Sequence, residues 1–216
     1  TVDGVTERFR LVGMDHFNAM FEDITTKSWW RQATGEAVTG LMKGEMLPEA
    51  ESFQMTIGQL FKLYPRAQVM QIEQAYKDFY DTKGRFERGK SKSALTRTDS
   101  LSWKEKSWVV GIQLSNESKA YDWNQLKEKR IINDKVGSQA IVLAIALDDQ
   151  GFAAFERPSG ATEFTIRNDS LLANGTAYDF SGKDLSGTGQ SLKRIKAYQE
   201  FWHSWQTFHP DTKRFE

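Results

Sequence analysis

Apolar and polar residues alternate along most of this chain with a period of two, which is the signature of half-buried strands. Val-Thr-Glu-Arg-Phe-Arg-Leu-Val over 5–12 predicts a first strand ended by Gly13, and Phe-Asn-Ala-Met-Phe-Glu over 17–22 predicts a second. Residues 34–44 carry Gly35, Gly40 and Gly44, a spacing that suits short strands with tight turns or bulges. Residues 108–114 read as a strand, with 119–123 as its partner and a helical turn over 123–129. Ala140 to Leu147 is apolar throughout, so it predicts a central strand. Asp148-Asp149-Gln150-Gly151 is a hairpin turn, 152–157 returns, and 162–167 and 170–180 add two strands. A short strand is also expected over 68–72.

Two stretches switch to a helical period. Phe53, Ile57, Leu60 and Phe61 predict a helix over 49–63, stopped at Tyr64-Pro65. A second is predicted over 193–208, closed by His209-Pro210. These stretches belong to an apparent internal duplication. Gly35-x4-Gly40 recurs as Gly182-x4-Gly187, while Gly44 and Leu47 correspond to Gly189 and Leu192. Phe53, Ile57 and Leu60 then align with Tyr198, Trp202 and Trp205. The expected fold class is α+β: mainly antiparallel β with an internal pseudo-duplication, each copy ending in an amphipathic helix. The chain reads as a single domain, 1–216, with copies at about 17–70 and 164–216 and a mobile loop at 81–105 in the middle segment.

Bulk composition narrows the function classes. Lys+Arg and Asp+Glu both number 29, so the basic excess of a nucleic-acid binder is missing. The densest basic stretch, Lys83 to Arg97, reads as a solvated loop. There is no cysteine, which removes disulfides, thiolate catalysis and Cys-ligated zinc. No apolar run approaches the ~20 residues of a transmembrane helix. The 14 Phe, 6 Tyr and 7 Trp are mostly core material, and Trp also lines ligand grooves.

One stretch is denser in chemistry than the rest: Asp23-Ile-Thr-Thr26-Lys-Ser28-Trp29-Trp30-Arg-Gln32-Ala-Thr34-Gly35-Glu-Ala37-Val-Thr-Gly40. It resembles the motif of the bacterial and archaeal family called domain of unknown function 3179. Val110-Gly111-Ile112 with Lys119-Ala120-Tyr121, Asn133-Asp134-x-x-Gly137, Phe155-Glu156-Arg157 and Trp202-x-x-Trp205-x-x-x-His209-Pro210 extend the resemblance from about Phe9 to Phe215. The resemblance implies no established activity. Family members commonly look exported, which implies a periplasmic or otherwise extracytoplasmic setting.

The polar residues admit two readings. Asp23 and Thr26 suit an Asx-type turn whose oxygens accept backbone N–H groups, with Trp30 as core. Alternatively Asp23, Thr26, Ser28, Trp30 and Gln32, completed by Lys119, Tyr121 and Arg157, form a ligand-binding site with an indole wall. The leading function is an uncharacterised exported binding or interaction domain for a polar small molecule or a protein partner, with no cofactor and no metal. One alternative is a hydrolase-like enzyme on a polar, glycan-like substrate, with Asp23 as base. The other is a metal-binding protein using His16, His203 and His209. His209 is otherwise expected to act as a positive group at a helix C-terminus. No Gly-x-Ser-x-Gly, His-Glu-x-x-His or phosphate-loop motif is present.

Overall fold

A computed structural model describes residues 6–80, 97–158, 162–187 and 189–216. The chain divides into two compact units: Thr1–Glu51 with His203–Pro210, and Ser52–Trp202 with Asp211–Glu216. The division falls inside both expected copies, after Glu51 in the first and around His203–Pro210 in the second.

The first unit is built on a four-stranded antiparallel meander, in the order β1 (Phe9–Asp15), β2 (Asn18–Asp23), β3 (Trp29–Arg31) and β4 (Ala37–Thr39). Gly13 does not end β1. The strand passes through it by way of a bulge between Leu11 and Gly13. The buried cluster here is small: Trp30 and Ala37, with Met42 and Leu47 packed against them.

The second unit is larger. One four-stranded sheet has the order β14-β5-β6-β15, with β5 at Trp108–Leu114, β6 at Glu117–Asp122, β14 at Tyr198–Phe201 and β15 at Lys213–Arg214. The other has the order β13-β9-β8-β7, with β7 at Ile131–Val136, β8 at Gln139–Ile145, β9 at Phe152–Glu156 and β13 at Arg194–Ile195. A third, three-stranded sheet holds β10 (Thr165–Arg167), β11 (Ser170–Ala173) and β12 (Thr176–Tyr178). All pairings are antiparallel except β15 with β6.

β8 is the central strand that its apolar run predicts. Ile141, Leu143 and Ile145 point into a core shared with Val110, Ile112 and Tyr121 of the first sheet, and with Trp123 and Leu126 of helix α2 (Trp123–Lys129). The alternate residues Val142 and Ala144 join Phe155, Phe164, Leu171 and Phe180 in a second core. The pleat sends successive side chains to opposite faces, so an all-apolar strand requires two covered faces. We expect Leu143→Ala to cost about 3 kcal/mol, read as a lower denaturation midpoint, because Leu143 is fully buried and its cavity is walled by rigid strands.

The fold class is α+β and mainly antiparallel β, as expected. Both expected helices are shorter than their periodicity suggests. The first, α1, covers Ile57–Leu63, capped by Thr56, whose hydroxyl accepts from Gln59 N–H. The second, α3, covers Trp202–Phe208. Tyr198, expected on a helix face, lies in β14, where Tyr198–Phe201 pairs with Gly111–Trp108 and Phe201 stacks on Trp108 at 4.2 Å. Sheet pairing overrode a helical pattern spread over few residues. Residues 68–72 form no strand. The expected strand 170–180 is a hairpin broken at Asn174-Gly175, both with positive φ. β7 was not foreseen, because Asn133, Asp134 and Lys135 interrupt its apolar pattern.

Of the loop expected at 81–105, residues 81–96 lie outside the described residues. Residues 99–107 are tied down: Asp99 N–H donates to Lys106 O, and Ser102 Oγ donates to Asp122 Oδ1 at 2.9 Å. The two Gly-bearing stretches share one backbone hydrogen bond, but Gly44 has a positive φ and its counterpart Gly189 does not. Leu47 N–H donates to Gly35 O at 2.9 Å, and Leu192 N–H donates to Gly182 O at 2.8 Å. α1 and α3 each have seven residues and stop before Tyr64-Pro65 and His209-Pro210.

Candidate functional site

The eight sequence-designated residues fall into two groups, one in each unit. In the first unit, β2 ends at Asp23, a turn through Thr26 and Lys27 reverses the chain, and β3 brings Trp30 back beside Asp23. Lys27 has φ +60°, and Asp23 N–H donates to Ser28 O at 3.0 Å across the turn. The Asp23 carboxylate is fully buried and accepts four donors: Thr26 N–H, Thr26 Oγ1–H, Ser28 N–H at 3.2 Å and Trp30 Nε1–H at 2.9 Å. Burial works to raise its pKa. The Thr26 hydroxyl, the Trp30 indole and the two backbone amides outweigh it and hold the carboxyl below the usual aspartate range.

Ser28 Oγ lies 2.7 Å from Thr26 Oγ1 and accepts Met42 N–H at 2.9 Å. Gln32 is exposed, and its Oε1 accepts Ala19 N–H at 2.9 Å, continuing the β2–β3 ladder. Asp23, Thr26, Ser28 and Trp30 are therefore brought together, but their polar atoms face one another. Of the two sequence readings, this geometry is that of the turn. A fully buried carboxylate holding four donors is a weak base with no face open to a substrate proton. Next to it, Glu22 accepts Trp29 Nε1–H at 3.1 Å and Arg10 Nε–H at 2.9 Å. The Trp29 bond leads in lowering its pKa, against desolvation and together with Arg10.

In the second unit, Lys119, Tyr121 and Arg157 converge on one residue outside the eight, Asp134 of β7. Lys119 Nζ lies 2.7 Å from Asp134 Oδ2, and Tyr121 Oη–H donates to the same oxygen at 2.9 Å. Arg157, just beyond β9, reaches the Asp134 carbonyl at 3.4 Å, and its Nη1 donates to Thr162 O at 2.8 Å and to Glu163 Oε1 at 3.0 Å. Its side chain is 5% exposed, and its Nε is buried with no hydrogen-bond partner among the described residues. Lys119 and Asp134 are 19% and 17% exposed, at the rim of the cluster. Burial, then the neighbouring Asp134 charge, pushes the Tyr121 hydroxyl far above its ordinary pKa, so it stays protonated and donates. Asn133 fixes the adjoining segment, with its side chain donating to Phe164 O at 2.8 Å and accepting from Phe164 N–H at 2.9 Å. The Asn133-Asp134-x-x-Gly137 stretch was the available signal for this hub.

The three histidines all lie in the first unit. His16 sits edge-on to Phe208, His203 edge-on to Phe17, and His209 lies 3.8 Å from the Trp205 ring. Among the described residues no three His, Cys, Asp or Glu side chains converge on a point that could hold a metal ion, which goes against the histidine-metal alternative. His209 also departs from its expected role as a cation at the helix end. Burial lowers its pKa and favours the neutral ring. In the second unit a crevice between Phe53, Phe152 and Arg194 admits about one water molecule, far less than a small-molecule ligand needs. No helix of the described residues is long and apolar enough to cross a membrane.

Fold and side-chain geometry together define a β-rich α+β protein with a cluster in which Lys119 and Tyr121 meet the Asp134 carboxylate and Arg157 meets the Asp134 carbonyl. The chain belongs to the family described as "Protein of unknown function (DUF3179)", whose model matches residues 2–212. No curated protein and no solved structure matches it.

Proposed function

We propose that this chain is a binding domain without catalysis of its own, taking a polar small molecule with an anionic group at the Lys119–Tyr121–Asp134–Arg157 cluster. The observation that carries this reading is the guanidinium of Arg157, buried with an unused donor behind a rim of Lys119 and Asp134. Lys119 Nζ has three donors and places two, on Asp134 Oδ2 and Lys135 O. A ligand carboxylate or phosphate at the rim would take the third, with Asp134 accepting a ligand hydroxyl. The closed Asp23 network weighs against the hydrolase reading. A setting outside the cytoplasm belongs to the same proposal, supported by the family resemblance alone; fractionation of the native host tests it.

The ligand reading is tested by thermal shift with succinate, glucuronate and inorganic phosphate as probes. At least one should raise the melting temperature of the wild type with its concentration. Lys119→Met, which keeps the apolar stem, should abolish that shift while moving the unliganded melting temperature by less than about 3 °C, since rim ion pairs contribute little. If no probe shifts the wild type, the reading is wrong.

A further inference from the structure

β1 is the edge strand of its sheet, and its outer side meets no other strand among the described residues. Arg8 O accepts Ile24 N–H, so by antiparallel alternation Arg10 faces Glu22 as a hydrogen-bonded pair. The amides and carbonyls of Phe9 and Leu11 then point away from β2. The bulge shifts the phase. The two-residue loop His16-Phe17 closes on the pair Asp15–Asn18, which leaves Met14 pointing outward as well. The three residues whose backbones face the free edge are also the exposed apolar residues of the strand: Phe9 at 41%, Leu11 at 66% and Met14 at 54%. Natural sheets usually blunt such an edge with Lys, Pro or inward charge. Here Arg10 folds back onto Glu22, and among the described residues the bulge is the remaining protection.

We infer that the β1 edge pairs antiparallel with β1 of a second copy of this chain. The strand is self-complementary in one register. With Leu11 opposite the second copy's Met14, both outward-facing, Arg10 stands opposite the second copy's Asp15, and the twofold relation repeats each contact. The axis then falls between Val12 and Gly13, so the two bulges meet rather than interrupt separate halves of the ladder. Arg10 is 64% exposed and Asp15 25%, so each can take this contact while keeping Glu22 and Arg31. An interface of one strand pair belongs to the small, transient class, with a dissociation constant on the order of 10 μM.

Sedimentation equilibrium of the full chain between about 1 and 500 μM, a range bracketing that constant, tests the inference. The molar mass should rise from monomer to dimer across this range, and Leu11→Lys should weaken association at least about tenfold. Leu11 is exposed, so this substitution leaves the fold intact; far-ultraviolet circular dichroism confirms that. Amide exchange at Phe9, Leu11 and Met14 should slow as the dimer forms. A monomer at every concentration overturns the inference. So does a dimer that Leu11→Lys leaves unchanged, or one that forms without slower exchange at those amides.

Discussion

Asp23→Ala should destabilise the chain by about 4 kcal/mol, through four buried donors left without an acceptor, each costing ~1–3 kcal/mol before relaxation. Against a typical total of ~5–15 kcal/mol, that is enough to shift the first unit's unfolding midpoint in urea by a large fraction. Asp23→Asn should also be destabilising, because its amide turns two donors toward Trp30 Nε1–H, Thr26 and Ser28, where acceptors are needed. The pH dependence follows from the same bonds. The folded carboxyl titrates below its ordinary value near 3.8, so its contribution is present above that value and is lost as pH falls through the folded pKa. Stability should hold from neutral pH to about pH 5 and then decline. Asp23→Asn should flatten that acid limb, and urea titrations at pH 3, 4, 5 and 7 measure it. If Asp23→Ala leaves the urea midpoint unchanged, Asp23 does not hold this turn.

Gly40→Ala should be nearly as damaging, by about 3 kcal/mol. Gly40 has φ +86°, where an L side chain costs ~1–2 kcal/mol. An added Cβ would also stand 2.6 Å from Ser28 Cα and Ser28 Oγ. That contact is with backbone, so the loop must move, breaking the Met42 N–H bond to Ser28 Oγ and disturbing the Asp23 turn. Gly44→Ala separates the two causes. Gly44 has φ +91° with nothing within 4 Å of the added Cβ, so its cost should stay at about 1 kcal/mol. Equal losses at the two sites would show that conformation alone, and not close approach to Ser28, sets the requirement for glycine.

Both predictions concern the motif richest in polar residues, and they place its effect on stability rather than on ligand binding. The same residue types at the same spacing serve a pocket or an Asx-type turn. What separates the two is where the oxygens point, and that depends on Trp30 returning beside Asp23. The rim cluster posed the opposite difficulty. Lys119, Tyr121 and Arg157 were visible one by one, but Asp134 became their hub only through packing that brings β6 and β7 together. Residues 13 and 23 positions apart along the chain carry no local sign of meeting there.

By itself the sequence determined the elements whose apolar pattern is dense and local. It specified β8 as a central strand, the β5–β6 hairpin, α2, the positive-φ glycines at 35, 40 and 44, and the likeness to an uncharacterised family. These rest on side-chain periodicity and on the steric freedom of glycine, which act within a few residues. Tertiary structure decided the rest. It turned Tyr198–Phe201 from helix to strand by pairing it with β5, and it admitted the charged β7 to a sheet because β8 beside it is apolar. It also closed Asp23 inside its own turn while leaving Lys119 at a rim. Backbone pairing and burial depend on distant chain segments, and no window of the sequence contains both partners.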